Sequence, residues 1–197
     1  MQYFQESDID FSFPSEWAVR KYDDHRFYQG LSGYGLKAVD FVILLPDGRL
    51  CLMEVKNYLP RTDTGGKLHT VERKRAKKLA ADLAKKYTDS SRAINVIQRY
   101  YRSKWYFRWR YAIGKLFTFR YRSDLIFWNE AASRSQSDLP TLILLWLETP
   151  SMAKRYRTKI YAHLANKIDP GKAQLMLGGN NFTPLPEMNA TNRLKAV

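Results

Sequence analysis

The chain reads as an α/β protein, a mixed β-sheet with helices on its faces. Three observations carry this. Residues 37–45 (KAVDFVILL) and 49–57 (RLCLMEVKN) are aliphatic, β-branched runs joined by Pro46-Asp47-Gly48, a hairpin signature in which proline presets φ and glycine accepts φ > 0. Residues 70–88 follow, with Leu79, Ala80, Leu83, Ala84 and Tyr87 at helical spacing. Residues 141–147 (TLILLWL) form an unbroken apolar run, as a central strand covered on both faces requires. Alternation of this kind lays helices against a sheet.

The remaining elements fall between these. Residues 14–29 (PSEWAVRKYDDHRFYQ) are expected to be helical, with Ser15 as the cap, an apolar face of Trp17, Val19, Tyr22 and Phe27, and an end at Gly30, Gly33 and Gly35. Residues 60–69 are a loop, and Gly65-Gly66-Lys67 lacks the upstream glycine of a phosphate-binding loop. A second helix is expected from Ser90 to Tyr101. Alternation in WYFRWRYAI and KLFTFRYR points to strands within 105–128, turning near Gly114. Residues 130–139 read as a polar loop. Thr149 and Pro150 are the cap and first position of a helix carrying Met152, Tyr156, Ile160, Tyr161, Leu164 and Ile168, which ends at Pro170-Gly171. The expected organisation is one domain over 1–177 with a basic aromatic insertion around 90–128, then an irregular tail over 178–197.

Composition excludes several classes. There are 197 residues, 45% of them hydrophobic, which is enough for a core. Lysine and arginine number 33 against 19 aspartates and glutamates, a net charge of +14 that calls for an acidic partner. The single cysteine, Cys51, excludes a disulfide framework and a zinc ribbon, and it is expected to be a small core residue facing away from Glu54. His25, His69 and His163 form no ligand pair. The opening MQYFQESDID has neither the basic nor the apolar region of a secretory signal, and no run approaches 18 apolar residues, so the expectation is a cytoplasmic protein with no membrane partner.

The hairpin carries the chemistry. Asp40, Glu54 and Lys56 lie within very apolar strands, where a charge is costly unless paired or metal-bound. With a three-residue connection and paired residue numbers summing to 96, Asp40 stands opposite Lys56 and Val42 opposite Glu54. The three charged side chains then emerge on one face, at the end away from the turn. An odd sum would turn Asp40 to the other face. The even register needs an odd-length connection or a bulge, for which Gly48 is suited. Two carboxylates and the Val55 carbonyl suit Mg²⁺ or Mn²⁺, with water completing the shell. Lys56 would hold or deprotonate the attacking water, or neutralise charge in the transition state.

Val39-Asp40 and Glu54-Val55-Lys56, on a hairpin between two helices, resemble the PD-(D/E)XK nuclease superfamily. The resemblance covers about residues 14–90, with 141–147 and 150–168 as later core elements. It implies the restriction-endonuclease-like αβββαβ core and an Mg²⁺-dependent endonuclease acting on DNA. It also implies Asp40 and Glu54 as metal ligands, Lys56 as catalytic, and a further acidic residue from the first helix. Glu16 is the choice for that last role, with Asp23 and Asp24 as competitors. Valine stands where the family has proline before the first acid, and no glutamine follows the lysine closely. A homodimer is an arrangement the resemblance allows.

The charge supports a nucleic-acid partner. No acidic residue lies between Asp89 and Asp124, and that window holds Arg102, Lys104, Arg108 and Arg110. Arg73, Lys74, Lys77 and Lys78 add a basic helix. These eight are the expected backbone contacts, driven by counterion release. The aromatic residues of the window read as core first, and as platforms for unpaired bases second. Two alternatives stand beside the nuclease: a nucleic-acid-binding protein of the same fold that does not cut, and a basic scaffold for an acidic protein.

Overall fold

A computed structural model describes residues 1–197 apart from 34, 63–67, 70, 105–122, 151–153, 180–181 and 193–197. Among the described residues, ten strands and four helices follow in this order: β1 (Gln2–Glu6), β2 (Ile9–Phe13), β3 (Ala18–Lys21), α1 (Arg26–Ser32), β4 (Phe41–Leu44), β5 (Leu50–Asn57), β6 (Arg61–Thr62), β7 (Leu68–His69), α2 (Ala76–Ser103), α3 (Asp124–Ser135), β8 (Thr141–Glu148), α4 (Lys154–Ala165), β9 (Ala173–Gly178) and β10 (Asn189–Asn192). The main sheet has five strands in the order β3-β4-β5-β8-β9. Its first three are antiparallel, and β8 and β9 run parallel to β5. A three-stranded antiparallel sheet, β1-β2-β10, is separate, and β6 and β7 form a small ribbon.

Alternation along the strands divides the core in two. Val42, Leu44, Leu52, Leu145 and Leu147 face a cluster shared with α2, α3 and α4. Phe41, Ile43, Met53, Leu144 and Trp146 face Ile9, Phe11 and Phe13 of the smaller sheet. Both faces of β4, β5 and β8 are therefore dry, the condition that makes their sequences read as unbroken apolar runs. The α/β class and the mixed sheet agree with expectation. The distribution of layers does not: the described helices pack into one cluster, and the second face is covered by β-structure. Ring edges knit that second layer, with Phe11 against Phe41 and Trp146 at centroid distances of 5.8 and 5.5 Å.

Several elements differ from the sequence reading. Residues 14–29 are not one helix. Trp17 and Val19 point into the inter-sheet core while Ala18 points to the other, so a strand forms and pairs with β4. The helix begins only at Arg26. Residues 76–88 and 90–101 are parts of one 28-residue helix, Ala76–Ser103. The Asp89-Ser90 pair that reads as a break is buried within it. Residues 124–135, expected to be strand and polar loop, form α3, which buries Phe127, Trp128, Ala131 and Ala132. Of the expected insertion, 90–103 and 124–128 are helical core; 105–122 lie outside the described residues. Tyr161, expected on the apolar face of α4, is 45% exposed, whereas Ile160 and Leu164 are buried. No helix among the described residues is long and apolar enough to cross a membrane.

The expected irregular tail is part of the fold. Of residues 178–197, β10 pairs with β2, and Leu185 and Met188 enter the inter-sheet core. Too few apolar residues sit in this stretch to mark strands, and its burial comes from docking on the small sheet. Met188→Ala is therefore expected to lower unfolding free energy by about 2–4 kcal/mol in urea melts, as a buried truncation does. A loss under about 0.5 kcal/mol, the scale of a surface change, would mean that the segment is not docked.

Candidate active site

The β4–β5 connection is Pro46-Asp47-Gly48. Leu45 N–H donates to the Arg49 carbonyl at 3.0 Å, and Gly48 takes φ +89°, which its lack of a side chain permits. Phe41 pairs with Met53 and Leu44 with Leu50, so paired numbers sum to 94. The expected sum of 96 is two too high, because Arg49 returns to Leu45 instead of lying in the turn. Extending the register one step, Asp40 faces Glu54, not Lys56. Parity is unchanged, and Asp40, Glu54 and Lys56 share a face. Cys51 lies on the other face, in the inter-sheet core, and burial pushes its thiol up to about 12.

Asp40 immediately precedes β4. In the alternation set by Leu45 and Arg49, the next β5 amide that turns toward β4 after Met53 is that of Val55. It donates to Asp40 Oδ2 at 2.6 Å, so the carboxylate replaces the missing strand partner. The Asp40 carbonyl accepts the Tyr22 N–H at 2.8 Å. The approach to Asp40 is held from α2: the Asp89 carboxylate accepts the Lys37 N–H at 3.1 Å, and Ser90 Oγ accepts the Val39 N–H at 3.0 Å.

Glu54 has no exposed surface. Its Oε1 takes two ammonium groups, Lys56 Nζ at 2.6 Å and Lys86 Nζ at 2.7 Å. Lys86 also lies 3.8 Å from Asp40 Oδ1, and Lys56 donates to the Val55 carbonyl at 2.9 Å. Glu54 Oε2 is buried with no hydrogen-bond partner among the described residues. Burial, then repulsion from Glu54, push Asp40 up to about 7 despite the two lysines and the Val55 amide. Burial acts to lower the Lys56 value, but Glu54 and Asp40 outweigh it and hold the amine above its ordinary pKa, so it stays an ammonium at neutral pH.

Lys86 is the residue that sequence reasoning missed as a member of the site. It was legible only as one of several cations on a helix, and nothing local distinguishes it from Lys85, which pairs with Asp89 at 2.7 Å. A ring of charge lies behind the site. Lys21 bonds Glu6 and Asp24, each at 3.0 Å, and burial followed by Glu6 raises Asp23 to about 6. Asn57 Nδ2 donates to the Ser7 carbonyl at 2.9 Å and ties the β1–β2 turn to the end of β5.

Glu16 does not join the site. It is exposed, in the turn before β3, and Ala18 pairs with Leu44, so Glu16 lies toward the hairpin turn, whereas Asp40 is beside Tyr22 at the other end. Its competitors Asp23 and Asp24 follow β3 at the Asp40 end. Arg73, Lys74, Lys77 and Lys78 are exposed at the start of α2, and Arg102 and Lys104 at its finish. At 1.5 Å per residue, Lys77 and Arg102 are about 38 Å apart along the helix, so these are two patches and not one. Lys74 bonds Asp82 at 2.8 Å, and the Arg73 guanidinium covers the Tyr156 ring at 4.6 Å. Arg108 and Arg110 lie outside the described residues.

Asp40, Glu54 and the Val55 carbonyl are hard oxygen donors of the kind Mg²⁺ takes, and they are linked to one another here through Lys56, Lys86 and the Val55 amide. No group of three or more His, Cys, Asp or Glu gathers as a metal site among the described residues. No protein-family model, curated protein or solved structure matches the chain.

The raised Asp40 pKa has a definite sign. The folded protein holds this proton more tightly than the unfolded chain, so the group favours folding fully below about pH 4, and that contribution is lost as pH rises through about 7. Asp40→Asn is expected to be more stable than the wild type at pH 8 without metal, by on the order of 2–4 kcal/mol, with the gap closing at pH 4. Urea midpoints at the two pH values measure this, and an equal gap at both would remove Asp40 as the cause.

Proposed function

We propose that the chain is a metal-dependent nuclease that hydrolyses phosphodiester bonds of DNA, with a site of the PD-(D/E)XK kind. One observation carries the reading: two buried carboxylates and a lysine meet at the start of β4, and one carboxylate oxygen has no hydrogen-bond partner among the described residues. The β3-β4-β5, α2, β8 succession around that site is compatible with the family's sheet. The first helix departs from the family order, since α1 follows β3 where the resemblance places a helix ahead of the first strand.

Asp40, Glu54 and the Val55 carbonyl would hold Mg²⁺ or Mn²⁺. The bound ion supplies Lewis-acid polarisation of the phosphodiester and acidifies water. Asp40 must lose its proton to bind, so occupancy below pH 7 releases a proton and weakens as pH falls. Lys56 serves as a fixed positive charge facing the negative charge that grows on the phosphoryl oxygens; its raised pKa argues against service as a base. Lys86 occupies Glu54 Oε1 and must yield part of that contact, after which its ammonium faces the same phosphate. The basic ends of α2 hold the nucleic-acid backbone on either side.

A second reading draws on that Lys86 contact. Two ammonium groups already balance the two carboxylates, which suits a nucleic-acid-binding protein that does not cut. Cleavage of a mixed DNA pool with Mg²⁺, Mn²⁺ or EDTA decides between them. The nuclease reading expects metal-dependent cutting that rises with pH to a plateau just above 7. Lys56→Ala is expected to lower it roughly 10²- to 10³-fold, the loss typical of removing one transition-state donor. Glu54→Gln is expected to abolish it. Salt-sensitive binding with no cutting under either metal supports the second reading.

A further inference from the structure

A second feature lies on the same sheet row as Glu54. Glu54 pairs with Leu145, and Leu145 pairs with Leu177, so the three side chains share a face and a level across β5, β8 and β9. Two strand spacings of about 4.8 Å put the Leu177 backbone about 10 Å from that of Glu54, with the buried Leu145 between them. Leu177 is the floor of a groove of about 710 Å³ between α4 and the chain after β9, walled by Tyr161 and Phe182, with Lys154 and Arg157 along it. Tyr161 is 45% exposed and Phe182 58% exposed.

The groove is built, not incidental. Gly179 has φ +107°, and a Cβ there would lie 2.1 Å from the Leu147 carbonyl oxygen, so the chain turns hard against the end of β8. Gly179 and Phe182 exchange backbone hydrogen bonds of 2.9 and 3.1 Å, which fixes the Phe182 backbone. Arg157 donates to the Gly178 and Gly179 carbonyls at 2.7 and 3.3 Å and locks α4 to this turn. The result is a pair of large exposed rings over an apolar floor, beside two cations, at the carboxyl ends of parallel strands. Open α/β sheets bind ligands at that edge.

We infer that this groove takes an unpaired nucleobase, and that the substrate is nucleic acid with a single-stranded segment beside the reacting phosphodiester. The inference rests on the nuclease reading for the position of the cut. The occupant follows from charge and distance. The chain carries +14, and Lys154 and Arg157 suit a phosphate, while two aromatic faces suit a base, which every nucleotide presents. A separation of about 10 Å is roughly three nucleotides at the duplex rise of ~3.4 Å per strand step, and fewer when the strand is stretched. Inside a duplex the base would be stacked on its neighbours and could not enter.

The test separates this inference from the cutting chemistry by measuring binding in EDTA. Fluorescence anisotropy with a labelled oligothymidylate and a blunt duplex of equal length is expected to favour the single strand. Tyr161→Ala with Phe182→Ala, both at exposed positions, is expected to weaken single-strand binding roughly 5- to 100-fold, the worth of one stacked base, and to leave duplex binding unchanged. A 5-iodouracil oligonucleotide is expected to cross-link to Tyr161 or Phe182 in the wild type. Unchanged single-strand affinity in the double variant, equal losses on both substrates, or cross-links confined to other regions each overturn the inference. A protein that cuts nothing under any metal but shows the selective loss keeps the base site and loses the nuclease; one that cuts duplex and single strand alike, with no selective loss, keeps the nuclease and loses the base site.

Discussion

A carboxylate with no exposed surface and two ammonium groups on one of its oxygens sets the terms for the rest of this fold. A carboxylate in a dry sheet is costly without compensating charge, and removing either lysine would leave buried charge uncompensated. Lys56 comes free with the strand, two residues along the same face. Lys86 has to arrive from elsewhere, and α2 carries it to Glu54. The continuation of that helix past Lys86 brings in Asp89 and Ser90 as well. Asp89 and Ser90, which a local reading takes for a helix break, are the polar groups through which α2 grips the segment leading to Asp40.

The same region concentrates the departures from local consistency. Apolar strands carry a cluster of acids and amines, β4 begins only opposite Met53 while β5 runs on to Asn57, and a side chain takes over a backbone hydrogen bond. Such violations gather where a protein does something other than fold. The surrounding structure offsets them. The inter-sheet core and the helical core bury large side chains on both faces of β4, β5 and β8, and the β1–β2 turn closes on the end of β5. The groove beside β9 follows from that architecture too, since the parallel strands and their crossover helix leave an edge where chain ends and helix start come together.

Much of the site was legible before the coordinates. Parity along a strand is a local property, so the common face of Asp40, Glu54 and Lys56 followed from any even register, and Cys51 fell to the other side. The exact partner did not follow, because whether Arg49 belongs to turn or ladder depends on one backbone hydrogen bond. Glu16 was misplaced for a related reason. Residues 14–21 hold apolar residues at spacings a helix or a strand would accept, and only pairing with β4 chose the strand and carried Glu16 toward the turn. Tyr161 shows the same limit: its position on α4 fits an apolar stripe, but it is exposed, whereas the neighbouring Ile160 is buried.

The amino-acid order by itself determined the hairpin, the central apolar strand, the basic helical stretch before Asp89 and the shared face of three charged residues, because each depends on periodicity or turn chemistry within a short stretch. Tertiary structure alone decided that Lys86 meets Glu54, that residues beyond 178 supply a strand and two core side chains, and that Tyr161 and Phe182 stand together over Leu177. Those outcomes depend on contacts between distant segments, whose energies come from burial and charge pairing that no local window contains.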